Sequence, residues 1–339
     1  MKSTLKKKIL ITTGVVVLVL AAAVVGGSLY LLNFALTPYH RSEAEALDRI
    51  YEHSPHLRVW VDSLNAAGAM HDTVVEINGN RLNAMYISAP TPSNRVAVLI
   101  HGYKDCNAMM LQVGDIYYHM GYNLLLPDLY AHGKSEGDHI RMGWLDRLDV
   151  MKWMEIANEK FRGDSAATQM VVHGISMGAA TTMCVSGETL PAYVKCFVED
   201  CGYTSVHDEF AHELKDMFGL PSFPLLNVAS TLCKWKYGWD FEEASPLNQV
   251  KKCRLPMLVI HGTNDDFVPT AMAQPIYDAK PQPKALYMAQ GSAHARSLSD
   301  HRQEYTAKVR QFTAKYIKSE VKKLKELRRY LFWREEDED

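Results

Sequence analysis

The chain has 339 residues, of which 47% are hydrophobic and 22% charged, enough to bury the core of one large domain or two ordinary ones. Its 37 basic and 39 acidic side chains leave a formal net charge of −2, and the central region has no basic stripe interleaved with aromatic residues. The composition therefore predicts a globular protein and argues against a nucleic-acid partner.

The N-terminus combines positive charge with a long apolar segment. Lys2 and the three lysines at positions 6–8 precede an apolar run over residues 9–32. A helix of these 24 residues is about 36 Å long, which exceeds a hydrocarbon core of about 30 Å. We predict a transmembrane anchor over residues 9–32, with residues 1–8 in the cytoplasm because positively charged flanks stay on that side.

A cleaved signal peptide is the alternative interpretation of this segment. Such peptides have an apolar stretch of about 7–15 residues that ends at small residues. Ala21 and Ala23 fit such a site, but the apolar run continues for nine residues beyond Ala23. We therefore favour an uncleaved single-pass anchor in the cell membrane. It would place the rest of the chain outside the cytoplasm, in the periplasm or at the cell surface if the source is bacterial.

Beyond the anchor, residues 33–70 are mixed and charged, and we interpret them as a juxtamembrane linker and helix. Short apolar runs then alternate with amphipathic stretches, which is typical of a mostly parallel sheet that helices cover on both faces. Asn78-Gly79 between the first two runs predicts a hairpin. The predicted strands are "TVVEING", "NRLNAMYIS", "RVAVLI", "YNLLLPD", "TQMVVHG", "KCFVED", "PMLVIHG" and "KALYMAQ". These elements define an α/β domain over residues 71–317.

Two helices are predicted from apolar residues spaced three or four positions apart. The first lies within residues 143–161 and the second within residues 306–317. Their apolar stripes consist of Trp144, Leu148, Met151, Met154 and Ala157, and of Val309, Phe312 and Tyr316.

A long insertion interrupts the alternation between "KCFVED" and "PMLVIHG". It has more than fifty residues, whereas a crossover needs far fewer. We interpret residues 203–252 as a mostly helical lid, and an ordinary pair of packing helices is the alternative. The aromatic side chains of this insertion predict an apolar acyl pocket, lined by Phe210, Phe218, Phe223 and Trp235.

The last segment, residues 318–339, is basic and then acidic. Leu324, Leu327 and Leu331 share one helical face with lysines and arginines around it, a pattern that can lie on an anionic membrane. We favour a final solvated helix with an acidic end.

The six cysteines are widely scattered, and none belongs to a C-x-x-C pair. A zinc ribbon or a thioredoxin-like motif therefore has no support. We expect buried, reduced thiols and no metal site, although one disulfide stays open if the domain faces an oxidising compartment.

The candidate nucleophile is Ser176 in Gly174-Ile175-Ser176-Met177-Gly178, a G-x-S-x-G motif. An apolar strand leads into Gly174, and a helix begins after Gly178. This strand–turn–helix arrangement holds a serine in a strained turn with its hydroxyl exposed. The helix N-terminus there also favours developing negative charge.

A serine hydroxyl needs a base to remove its proton, and the base needs an acid to orient it. His294 lies in a loop of small residues after the last predicted strand, and Asp265 and Asp266 follow the strand before it. The order serine, acid, histidine is that of one fold, the α/β-hydrolase. Asp200, at the end of another strand, is the second candidate for the acid.

An oxyanion hole requires N–H donors aimed at the developing charge. The backbone N–H of Met177, directly after the nucleophile, is one candidate, and that of Tyr103 in "HGYKDCN" is the other. Gly102 allows the chain to turn closely there. Three further histidines are interpreted as structural: His101, His132 and His261.

These motifs resemble the α/β-hydrolase superfamily across roughly residues 74–317. The resemblance rests on "HGY", "PDLYAHGKSEG", "GISMG", "HGTNDDFVP" and "GSAHA", and it is closest to bacterial membrane-anchored hydrolases described as serine aminopeptidase-like or Bem46-like. It implies a catalytic triad of Ser176, Asp265 and His294, with Asp265 preferred over Asp266. It also implies hydrolysis of an ester, less often an amide or thioester, without metal or cofactor.

The expected function is therefore a serine hydrolase that acts on a small acyl substrate through an acyl-enzyme intermediate. Two alternative functions are compatible with the sequence. The same triad could serve an acyltransferase or thioesterase, and a hydrolase fold could also serve as a non-catalytic, membrane-tethered scaffold.

Overall fold

The computed structural model describes residues 2–164 and 167–318, and they divide into two units. The larger unit contains Pro38–Thr204 and the described residues from Pro246 onward. The smaller unit contains the chain up to Thr37 together with Ser205–Ser245. The amphipathic helix predicted for the C-terminal tail lies outside the described residues.

The larger unit is built around an eight-stranded sheet with the strand order β1-β2-β4-β3-β5-β6-β7-β8. The strands are β1 (Met70–Ile77), β2 (Asn80–Ile87), β3 (Arg95–Ile100), β4 (Asn123–Pro127), β5 (Gln169–Ile175), β6 (Val194–Asp200), β7 (Met257–Gly262) and β8 (Lys284–Ala289). Each predicted strand is present. The hairpin of β1 and β2 is antiparallel, β2 pairs antiparallel with β4, and all other pairs are parallel.

Helices surround this sheet, and the parallel strands have few exposed side chains as a result. The helices of the larger unit are α2 (Glu43–His53), α3 (Leu57–Ala66), α4 (Leu111–His119), α5 (Asp146–Phe161), α6 (Met177–Ser186), α9 (Pro246–Val250), α10 (Ala273–Ala279), α11 (Ser297–Asp300) and α12 (Arg302–Tyr316), with 3-10 turns at Asn107–Met110 and Thr270–Met272. All five residues of β4 and all six residues of β7 are buried. Burial on both faces explains why these strands read as continuous apolar runs.

The apolar stripe predicted for α5 is partly wrong. Met154 and Ala157 are buried as expected, but Leu148 is 45% exposed. The buried face instead runs through Val150, Trp153 and Phe161. Both stripes have helical spacing, so periodicity alone could not choose between them. The stripe predicted for α12 is confirmed, because Val309 and Phe312 are buried and Tyr316 packs against Phe312.

The smaller unit consists of the N-terminal helix α1 (Lys2–Leu36) and two helices of the insertion, α7 (Val206–Phe218) and α8 (Leu225–Tyr237). Ser205 caps α7 by accepting a hydrogen bond from the backbone N–H of Asp208, and Gly219 ends the helix in the left-handed conformation. Among the described residues, one helix is long and apolar enough to cross a membrane, Thr4–Leu36. The predicted anchor over residues 9–32 and most of the predicted lid over residues 203–252 therefore lie in the same unit.

All six cysteines are buried and carry free thiols. They are distributed over both units and over separate elements, as their scatter in the sequence indicated.

Candidate active site

Ser176 occupies the turn between β5 and α6, with backbone angles φ 57° and ψ −122° that a residue with a side chain rarely adopts. The two flanking glycines are required for space. A Cβ on Gly174 would lie 2.0 Å from the carbonyl oxygen of Gly178, and a Cβ on Gly178 would lie 2.0 Å from that of Ile100. The Ser176 N–H donates to the carbonyl oxygen of Asp200 at 2.8 Å, which ties the turn to the end of β6.

Three side chains from three separate loops meet at this turn. The Ser176 Oγ and the His294 Nε2 are 2.8 Å apart, and the His294 Nδ1 lies 2.9 Å from the Asp265 Oδ2. If Nδ1 carries the proton and donates it to the carboxylate, Nε2 is left to accept the serine hydroxyl proton. The geometry is that of a nucleophile, a base and an orienting acid.

Burial distinguishes the two adjacent aspartates of the "NDD" segment. The Asp265 side chain is fully buried, whereas Asp266 is exposed. The Asp265 Oδ1 also accepts the N–H of Val268 at 2.9 Å, and the His261 Nε2 lies 3.4 Å from its Oδ2. The carboxylate is therefore fixed before it meets His294. The structure thus brings Asp265, and not Asp266, to His294.

Asp200, the second candidate for the acid, is occupied elsewhere. Its Oδ1 accepts from the Ser297 hydroxyl at 3.3 Å and its Oδ2 from the Tyr305 hydroxyl at 3.0 Å. Tyr305 in turn lies 3.0 Å from the His173 Nε2, whose other nitrogen lies 3.1 Å from the Tyr117 hydroxyl. Burial lowers the pKa of His173 to about 3, so this imidazole is neutral at physiological pH. Asp200 is thus the last member of a buried series of hydrogen-bonded side chains that includes Tyr305, His173 and Tyr117.

The predicted oxyanion donors belong to two segments next to the nucleophile. Met177 is the first residue of α6, and Tyr103 follows Gly102 in the loop after β3. A Cβ on Gly102 would lie 3.4 Å from the Ser176 Cβ, so this loop passes directly beside the serine. Such proximity is what a backbone donor to a serine-bound oxyanion requires.

The three histidines interpreted as structural make hydrogen bonds to loop backbone. The His101 Nδ1 donates to the Gly102 carbonyl at 2.8 Å, while its Nε2 accepts the N–H of Leu129 at 3.0 Å. Burial lowers its pKa to about 4. The His132 Nδ1 lies 2.8 Å from the Tyr130 carbonyl, and the His261 Nε2 lies 2.9 Å from that of Val268. Each imidazole thus holds a loop in place.

The sequence did not indicate the contacts that Arg41 and Ser42 make with the loop that contains Tyr103. The Arg41 Nε donates to the carbonyl oxygen of Lys104 at 3.3 Å and lies 3.2 Å from the Asp105 Oδ1. Burial raises the pKa of Asp105 to about 6, and the Arg41 charge opposes that rise. The Cys106 thiol donates to the Ser42 carbonyl at 3.9 Å. Arg41 and Ser42, which directly precede α2, therefore hold the loop that contains Tyr103 in place.

Replacing Arg41 with alanine is expected to lower kcat about ten- to a hundredfold while KM changes little. Arg41 contacts the loop of Tyr103, whose predicted oxyanion donor would act mainly on the transition state, where a small displacement is costly. Steady-state kinetics on a soluble ester would measure the split, and Arg41→Lys should restore part of the rate. Arg58→Ala, in which the lost guanidinium lies over the Tyr51 ring, is the matched control. An equal loss in Arg41→Ala and Arg58→Ala would contradict this role.

Two further residues adjoin the acid and the base. The Phe267 ring, 40% exposed, lies 4.8 Å from the His294 ring. The ligating atoms of Cys201, Asp265 and His294 all lie within 4.8 Å of one another. Burial raises the pKa of the Cys201 thiol well above its ordinary value. Within this cluster, His294 and Asp265 contact each other directly, with 2.9 Å between Nδ1 and Oδ2.

The four aromatic residues predicted to line an acyl pocket belong to the smaller unit. Phe210 packs edge-on against Phe241, with 5.0 Å between ring centroids. Phe218 is 39% exposed, Phe223 74% and Trp235 87%. Their contribution to an acyl pocket stays a prediction.

The strand order, the serine at a strand–turn–helix and the bonded histidine and aspartate define the class as α/β-hydrolases. The family model of the prolyl oligopeptidase family matches residues 141–320, and the chain belongs to that family. It is thus a serine hydrolase of the α/β-hydrolase superfamily, as the motifs indicated. The closer likeness to Bem46-like hydrolases stays a prediction.

The chain is also similar to individual proteins in sequence or in fold. The chain is similar to YqkD of Bacillus subtilis, with 29% identity over 227 residues, which cover 67% of this chain and 73% of YqkD. Its fold resembles the Pyrococcus furiosus esterase Pf2001, with a TM-score of 0.59 and 21% identity, over 73% of this chain and 93% of the esterase. It also resembles the acylaminoacyl peptidase of Pyrococcus horikoshii, with a TM-score of 0.55 and 18% identity, over 74% of this chain and 41% of the peptidase.

Proposed function

We propose that the protein is a membrane-anchored serine esterase in which Ser176, His294 and Asp265 form the catalytic triad. The observation that supports this most strongly is the continuous hydrogen-bonded series from the Ser176 hydroxyl through the His294 ring to the buried Asp265 carboxylate. Asp265 is held by the Val268 N–H independently of His294. A triad that is already aligned needs little reorganisation when substrate binds.

In the proposed mechanism, the Ser176 Oγ attacks the acyl carbonyl carbon while its proton passes to the His294 Nε2. The carbonyl electron pair moves to oxygen, and the backbone N–H groups of Tyr103 and Met177 stabilise this oxyanion. As the intermediate collapses, the bond to the alkoxide leaving group breaks and His294 protonates the leaving oxygen. Water then attacks the acyl-enzyme, gives a proton to His294, and Ser176 leaves with that proton as the acid is released.

The proposed anchor is α1, and Lys6, Lys7 and Lys8 set its orientation. Positive charge near the start of a membrane helix remains on the cytoplasmic side. The α/β unit would then face away from the cytoplasm. Supporting features are the length of Thr4–Leu36 and the mean hydropathy of 2.7 over its most apolar 18 residues.

Fluorophosphonate labelling of the full-length protein in detergent would test the nucleophile. We expect one labelled serine and turnover of short nitrophenyl esters, with both lost in Ser176→Ala because no other hydroxyl is paired with His294 at this turn. Ser63→Ala is the control, since this hydroxyl donates to the Trp60 carbonyl on a surface helix. A folded wild type that neither labels nor hydrolyses any ester would overturn the proposal and favour a scaffold.

The choice of ester over amide can be tested with one acyl group on two leaving groups. We expect a nitrophenyl ester to be cleaved faster than the matching nitroanilide, and a faster anilide would favour a peptidase. Adding a competing alcohol or amine tests for acyl transfer, because a transferase forms the new ester or amide instead of the free acid.

A further inference from the structure

The insertion is attached to α1 at two levels within the smaller unit. The Ser28 hydroxyl donates to the carbonyl oxygen of Leu225, the first residue of α8, at 2.8 Å. Further along α1, the Phe34 ring packs edge-on against Phe218, the last residue of α7, with 5.8 Å between centroids. The tip between α7 and α8, residues 219–224, is therefore held on α1 between the levels of Ser28 and Phe34.

The exposure of α1 changes at this attachment. Residues 4–23 are all exposed, and Ser28, Leu32 and Leu36 then form a buried stripe. Ser28 lies 20 residues beyond Lys8, which is about 30 Å along a helix and equals the hydrocarbon thickness of a bilayer. If Lys8 marks the cytoplasmic boundary, Ser28 lies at the opposite boundary. Phe34 then lies about 9 Å further out, in or just beyond the headgroup layer.

The tip presents apolar side chains at this level. Phe223 is 74% exposed and Leu220 40% exposed, and Met217 in the last turn of α7 is 54% exposed. Phe223 precedes Leu225 by two residues, so it lies within about 7 Å of the level of Ser28. Exposed apolar side chains at that depth would contact lipid rather than water.

The insertion also begins close to the nucleophile along the chain. Ser205, which caps α7, follows β6 by five positions, and the backbone carbonyl of Asp200, the last residue of β6, accepts the Ser176 N–H. Along the chain, the insertion thus follows directly from the strand end that holds the Ser176 turn through this hydrogen bond.

We infer that the α7–α8 tip inserts into the outer lipid layer and that the substrate is an acyl ester of a membrane lipid. The inference rests on the proposed esterase activity and on α1 as the anchor. Bilayer lipid is the expected partner of the exposed apolar side chains of the tip. Two contacts fix the tip at the depth where the membrane-crossing length of α1 ends.

The test uses the full-length protein in vesicles of equal parts phosphatidylcholine and phosphatidylglycerol. Two substrates are compared, a diacylglycerol with a fluorescent acyl chain in the vesicles and nitrophenyl butyrate in solution. We expect the ratio of lipid-ester to soluble-ester turnover to fall about tenfold or more in Leu220→Ser/Phe223→Ser, because each lost apolar side chain weakens insertion. Val59→Ser/Leu148→Ser, which removes two exposed apolar side chains of the larger unit, should leave the ratio unchanged.

A second measurement does not depend on activity. Phe223→Trp adds an indole at the tip, and lipids brominated near the headgroup should quench this added fluorescence. Quenching no greater than in lipid without bromine would overturn the inference, as would an unchanged turnover ratio or a wild type that cleaves only the soluble ester. A wild type that cleaves neither ester and takes no fluorophosphonate would instead overturn the proposed esterase activity.

Discussion

Asp265→Asn is expected to lower kcat on a soluble ester about ten-thousandfold without unfolding the protein. The carboxylate lies 2.9 Å from the His294 Nδ1 and fixes the proton there. An amide in its place can donate to that nitrogen, which moves the ring proton to Nε2. His294 could then no longer accept the proton of Ser176. Rates of ester turnover and of fluorophosphonate labelling would both report the loss.

Asp200→Asn is the matched control, because Asp200 is also a buried carboxylate at a strand end beside the site. Its oxygens are bonded to Ser297 and Tyr305, so we expect a loss of less than about tenfold. A loss as large as that of Asp265→Asn would contradict the assignment of the acid.

The same variant has a predicted pH signature. Burial raises the pKa of Asp200 from its ordinary 3.8 to about 6, so the native state binds this proton more tightly than the unfolded state does. The stability that this group contributes is complete below pH 3.8 and is lost as the pH rises through about 6. The free energy of unfolding of the wild type relative to Asp200→Asn should therefore fall by roughly 3 kcal/mol over that range, measured by denaturant titration at each pH.

Gly178→Ala is expected to have the largest effect on stability, on the order of 4 kcal/mol. The added methyl would lie 2.0 Å from the Ile100 carbonyl oxygen and 2.6 Å from that of His101, and both are backbone atoms of the loop beside Ser176. Neither carbonyl oxygen can move away from the methyl group unless β3 or α6 is displaced. Denaturation followed by tryptophan fluorescence would measure the change.

Ala179→Gly, one position further along α6, is the control for a change of the same size in the same helix. It should cost about 1–2 kcal/mol, from helix propensity and from the loss of one buried methyl group. If Gly178→Ala unfolded at the same denaturant concentration as the wild type, the close approach of α6 to the end of β3 would be disproved.

Much of the fold and the candidate site could be predicted because both depend on local patterns. The buried strands give continuous apolar runs, and Ser176, Asp265 and His294 each follow such a run directly. In a parallel sheet these strand ends share one edge, so residues distant in sequence are brought together by topology. The bonds among the three side chains follow from that edge.

Features that depend on contacts between distant segments could not be predicted. Arg41 looks like an ordinary juxtamembrane charge until the fold brings it to Lys104 and Asp105. The buried face of α5 was misassigned because two stripes have equal periodicity and only packing selects one. The association of α1 with the insertion depends on Ser28 and Leu225, which are 197 residues apart.

The backbone of Ser176 has a consequence for how this protein can change over evolutionary time. Its positive φ is a conformation that glycine adopts freely and that strains a residue with a side chain. Exchanging this serine for glycine would relieve the backbone strain, and it would remove the hydroxyl that His294 contacts. Stability and the proposed turnover thus place opposite demands on position 176.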